Sequence, residues 1–116
     1  MRNMKKEPII YFPQDPEIPM KREAQVGRLL RIGKPSKRYY EHIYHSMNHN
    51  AHRLQDLQRL LKVEGFTVRI ISILRMRTGD KIAVLHRKDG KDFLTDIKKL
   101  FANIDKALDA NELKFQ

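Results

Sequence analysis

Between Lys37 and Glu64 apolar residues return at heptad spacing: Tyr40, Met47, Leu54 and Leu61, with Ile43, Asn50 and Leu57 at the alternate positions. This is the a/d pattern of a coiled-coil helix. A continuous helix there would be a rod of roughly 42 Å. A compact chain of this size has a radius of gyration of only about 13 Å. The spacing therefore predicts one long helix that pairs with a second copy, with those seven residues as the seam of a homodimer. Asn50 would cost stability but fix register. The competing reading is a break, because Ser46, Asn48 and Asn50 are poor helix formers and Asn50 can cap a new helix from Ala51.

The flanking segments fill in a mostly helical α+β domain with one β-hairpin, in the order arm-α-α-β-β-α. Residues 1–20 hold Pro8, Pro13, Pro16 and Pro19, so they read as an extended arm with a short strand near Ile9–Phe12. Residues 21–33 read as a short helix stopped by Gly33, with Ser36 capping the long helix that follows. Phe66–Arg77 is β-branched, Thr78-Gly79-Asp80 is a turn, and Lys81–Lys88 returns, which predicts a hairpin. Phe93, Ile97, Leu100, Phe101, Ile104 and Leu108 share one face at helical spacing, so a core helix is expected over 93–109 with Asp92 as its cap. The domain is read as residues 21–109, and 110–116 as a fraying tail.

Charge narrows the class of partner. The chain of 116 residues has 24 Lys+Arg against 14 Asp+Glu, a net charge of +10. The excess is concentrated: residues 21–40 hold seven basic and one acidic group, and residues 66–91 seven basic and two acidic. Concentrated positive charge suits a polyanion. In the first segment Lys34, Lys37, Arg38 and Tyr39 sit at an expected helix start, where unpaired N–H groups favour a phosphate. In the second, Arg69, Arg75 and Arg77 fall on one face of the expected strand, followed by Lys81, Arg87 and Lys88. A twisted ribbon bearing them would lie along a nucleic-acid backbone or enter a groove.

Other chemistries find less support. With no Cys there is no disulfide, thiolate zinc site or cysteine nucleophile. There is no phosphate-binding glycine loop, serine elbow or acidic two-metal cluster, so the chain is not read as an enzyme and no cofactor is expected. His42, His45, His49 and His52 would form a stripe on a long helix, and His45/His49 have zinc-ligand spacing. Typical sites add ligands from another element, and no Glu or Asp sits at a matching place on the stripe, so it reads as a polar, solvent-facing surface. No apolar run approaches a membrane span or a secretory h-region, so a cytoplasmic location is the default expectation. The expectation is a small, basic, non-enzymatic nucleic-acid-binding protein: a dimeric regulator of transcription or accessory factor, with DNA favoured slightly over RNA. The alternative is an interaction protein that grips an acidic protein partner or sits within a ribonucleoprotein or inhibitor complex.

Overall fold

The computed structural model describes residues 9–10, 24–48 and 53–116. They form a curled, antiparallel half-barrel, not a helical domain. The elements are β1 (Ile9–Ile10), β2 (Leu29–Ile32), β3 (Ile43–Tyr44), α1 (Leu54–Leu60), a 3₁₀ turn (Leu61–Val63), β4 (Thr67–Arg75), β5 (Lys81–Arg87), β6 (Leu100–Asn103), α2 (Ile104–Asp109) and β7 (Leu113–Phe115). The sheet order is β3-β6-β5-β4-β2-β7, and β1 pairs with the far end of β4. β4, β5 and β6 form a meander, and the last strand returns beside β2.

The core lies on the concave face. Leu30, Ile32, Val68, Ile70, Ile73, Ala83, Leu85, Leu100 and Ala102 point inward from the strands, and Leu60, Val63, Ile104 and Ala107 cover them. In β2 and the first half of β4 inward residues alternate with outward ones, as a sheet with one buried face requires, whereas Ile82–Leu85 of β5 are all buried. β2 shows this in four residues: Leu30 and Ile32 are buried, Arg31 is exposed and Leu29 half-buried.

The hairpin expected from Phe66–Lys88 is present as β4 and β5. The helices expected around it are not. Of the helix expected over 21–33, residues 21–23 lie outside the described residues, and Leu29–Ile32 form β2, whose short in-out alternation mimics part of a helical stripe. Residues 93–109 supply a tight loop, with Phe93 N–H bonding to the Ile97 carbonyl, then β6, and only then the six-residue α2. Phe93, Ile97, Leu100 and Ile104 are buried as expected, but from three different elements. Asn103, not Asp92, caps the helix, its side chain accepting from Lys106 N–H. The expected tail contributes β7, which pairs with β2 from Leu113 to Phe115.

The long helix, and with it the coiled-coil seam, is also overturned. Tyr40 and Ile43 are core residues on a loop and a strand, and Met47 is on an irregular segment. Leu54 and Leu57 belong to the seven-residue α1 with Leu54 exposed, and Leu61 opens the 3₁₀ turn. Asn50 lies outside the described residues.

The physical reason is Glu112. Its side chain is fully buried and accepts from Ser36 N–H (2.8 Å), Ser36 Oγ (2.7 Å), Glu41 N–H (2.9 Å) and His42 N–H (2.8 Å). In a helix from Ser36, the amides of Glu41 and His42 would bond to carbonyls one turn earlier. The carboxylate takes them instead. Ser36 therefore serves as a donor to the C-terminal segment, not as a helix cap.

Candidate nucleic-acid interface

The convex face of the half-barrel carries part of the concentrated positive charge. On β7 Lys114 lies directly opposite Arg31 of β2, and Arg31 lies opposite Thr67 of β4. Lys88, just past β5, donates its N–H to the Thr67 carbonyl (2.9 Å). Adjacent strands are about 4.8 Å apart. The row Lys114–Arg31–Thr67–Lys88 thus crosses four strands in about 14 Å. Beside it the next outward row is Leu29, Arg69 and His86.

Like charges placed directly opposite each other on a sheet are destabilising. Arg31 and Lys114 are such a pair, and neither they nor Lys88 makes an ion pair among the described residues. Two depressions border the row. One, of about 450 Å³, lies between Arg31, Lys34, Lys114, Glu64 and Asn111. The other, of about 300 Å³, includes Phe66, Thr67 and Lys88.

The basic residues singled out in the sequence divide into three groups. Lys34, Lys37, Arg38 and Tyr39 lie on the loop that Glu112 holds, with both lysines and Arg38 exposed. Arg69 and Lys88 lie at the convex rows. Arg75, Arg77 and Lys81 cluster at the opposite end of the hairpin, where Lys81 reaches Asp105 at 3.9 Å. Arg69 and Arg75 do not share a face, because the pairing shifts between Ile70 and Ser72. The extra residue, Ile71, is a β-bulge, and a bulge exchanges the faces beyond it. Arg69 lies opposite His86 on the convex face, whereas Arg75 follows the parity of buried Ile73.

Arg87 has a structural task on the concave side. Its guanidinium stacks 4.3 Å from the Phe66 ring centre, donates to the Asp92 carbonyl (2.9 Å) and pairs with Asp89. The Lys91 N–H and the Arg87 guanidinium hold the Asp89 carboxyl below its usual range.

Further along the convex face, Tyr44 of β3 lies opposite Phe101 of β6, and Phe101 opposite Val84 of β5. Burial pushes the Tyr44 hydroxyl pKa up. A cleft of about 540 Å³ opens at this edge, with Phe101, Lys98, Lys99, His45 and Arg59 in its wall. Arg59 of α1 pairs with Asp56 (3.5 Å) and Asp96, and His45 Nε2 lies 3.8 Å from Asp56. The hydrogen bond from Arg59 holds the Asp96 carboxyl low. His49 and His52, the rest of the expected zinc spacing and stripe, lie outside the described residues. No group of three or more potential metal ligands occurs among the described residues.

Comparison with protein-family models, curated proteins and solved structures found no match to the chain. No helix among the described residues is long and apolar enough to cross a membrane.

Sequence reasoning missed Arg31, Lys114, His86, Lys98, Lys99 and Phe101 as surface partners. The signal available for Arg31 was the alternation of Leu29-Leu30-Arg31-Ile32, which fits a strand better than a helix. Nothing local marks Lys114 as its neighbour. The reading as a coiled-coil DNA-binding regulator of transcription is corrected too. It leaned on a long helix, and the described helices have seven and six residues.

Proposed function

We propose that the protein is a non-enzymatic module that binds single-stranded nucleic acid across the convex face of its sheet. The observation that carries this reading is the row Lys114–Arg31–Thr67–Lys88, in which cations stand opposite or near one another without ion-pair partners among the described residues. Such a row costs folding energy, and a phosphate backbone laid along it turns that cost into attraction. Outward Phe101 and Tyr44 add the aromatic surface on which unpaired bases stack. A broad sheet face bearing cations and aromatics suits a splayed single strand, whereas reading a duplex groove needs an inserted element. Backbone contacts of this kind carry little sequence preference.

The test is fluorescence anisotropy with a labelled single strand of roughly 12 nucleotides, within the usual site size of such folds. Arg31→Glu combined with Lys88→Glu is expected to weaken binding by about tenfold or more at moderate salt, since each lost phosphate contact weakens a salt-dependent equilibrium. Lys106→Glu, on exposed α2, is expected to leave it within about twofold. Wild-type affinity in the double variant would overturn the reading. Tighter binding of an acidic peptide than of the oligonucleotide would favour an acidic protein as the partner.

A further inference from the structure

The cleft beside β6 is separate from the basic row and has a different composition. Its wall combines one aromatic ring, the Asp56 and Asp96 carboxylates and cations of unequal freedom. Arg59 is held by Asp56 and Asp96. Lys98 and Lys99 make no ion pair among the described residues, and the Lys99 ammonium lies 5.7 Å from the centre of the Phe101 ring. The ammonium marks that ring face as electron-rich, and a base stacked there would displace it. The volume, about 540 Å³, is in the range of small-ligand pockets.

We infer that this cleft holds a single nucleotide of the bound strand, its base stacked on Phe101 and its phosphate between Lys98 and Lys99. The inference rests on the proposed single-strand binding and names where one unit of that strand is seated. Three features support it. The ring that would take the base and the ammonium groups that would take the phosphate, Lys99 moving off the ring to do so, belong to one short stretch, residues 98–101, ordered by β6. The Arg59 pairs tie α1 to the loop at Asp96, so the opposite wall is built before a ligand arrives. Phe101 also lies on the strand face continuous, through Val84, with the outward side of β5. The basic row and Phe101 therefore lie on the same side of the sheet, with buried Val84 between them.

The test is a titration of the full isotope-labelled chain, followed by amide chemical shifts, with adenosine 5′-monophosphate, ribose 5-phosphate and adenosine as separate probes. The monophosphate is expected to move the amides of residues 98–101 and to bind at least tenfold more tightly than either fragment. Phe101→Leu is expected to weaken it by about 5- to 150-fold, the range for loss of one stacked base, while leaving ribose 5-phosphate unchanged. Lys99→Ala, at an exposed position, keeps the test valid should Phe101→Leu disturb the sheet, and is expected to weaken both phosphate probes equally. Equal binding of ribose 5-phosphate and the monophosphate would reduce the cleft to an anion site and overturn the inference. Shifts confined to Arg31 and Lys88 would also overturn it. The Arg31→Glu, Lys88→Glu variant separates the two claims, because it abolishes binding to the row while leaving the monophosphate in the cleft.

Discussion

At the scale of single residues, Glu112 decides more of the fold than any apolar side chain. It is placed by the turn before it. Asn111 adopts a left-handed conformation (φ 62°), and the N–H groups of Asn111 and Glu112 bond back to Leu108 and Ala107. This is a Schellman ending, and it aims the next side chain inward. Gly33 is required by the same junction, because a Cβ there would come within 2.4 Å of the Asn111 carbonyl oxygen. Glu112→Ala strands three amide donors, each costing about 1–3 kcal/mol if left buried and unsatisfied. The expected loss in a urea titration is about 3 kcal/mol or more, with the loop at 34–42 the first region to exchange its amides. Tyr40 gives a pH signature. Its hydroxyl donates to the Gly33 carbonyl, and burial raises its pKa far above the ordinary 10.0. The folded chain therefore holds that proton more tightly than the unfolded one. The stability this provides is complete below pH 10 and is lost as pH rises above it. Tyr40→Phe is expected to lower the melting temperature at neutral pH and to flatten the decline above pH 10. An unchanged alkaline slope would show that Tyr40 does not contribute.

At the scale of elements, the pairing of β2 with β7 sets stability against binding. Arg31 faces Lys114 on one side and Thr67 on the other. Arg31→Thr removes a like-charge pair and extends a row of β-formers. It is expected to stabilise the fold by about 0.2–1 kcal/mol in thermal or urea unfolding, more at low salt, while weakening oligonucleotide binding. Loss of stability with unchanged binding would remove the row from the functional site. The β4–β5 hairpin was legible in the sequence, because β-branched runs flank a Thr-Gly-Asp turn. The bulge at Ile71 was not. Perfect alternation assigns Arg69, Arg75 and Arg77 to one face, and a single extra residue undoes the assignment. The side chain at the bulge is 41% exposed, so nothing in its hydropathy signals the irregularity.

For the whole molecule, the sequence showed which residues would be buried more clearly than which elements would bury them. Phe93, Leu100 and Ile104 were expected inside and are inside, but on a loop, a strand and a short helix in place of one core helix, whereas Tyr40 and Ile43, expected in a dimer seam, are core residues of a loop and a strand. Periodicity is a local signal. The contacts that override it join Glu112 to residues 36–42, and β7 to β2, across most of the chain length. Charge was legible only as a total and as two segments. Placing Arg31, Arg69, Lys88 and Lys114 on one face needed the register of four strands and a C-terminal segment that looks like a tail. Circular dichroism is expected to show a β-dominated spectrum, in keeping with the short helices, and a strongly helical one would contradict the half-barrel. The convex face is tested most directly by the salt dependence of single-strand binding. Each phosphate neutralised contributes about −0.7 to the slope of log K against log salt. Contacts by Lys114, Arg31, Arg69 and Lys88 give a slope of about −3, made shallower by about 0.7 in Arg31→Thr. A wild-type slope shallower than about −1, or one that Arg31→Thr leaves unchanged, would contradict nucleic-acid binding at this face.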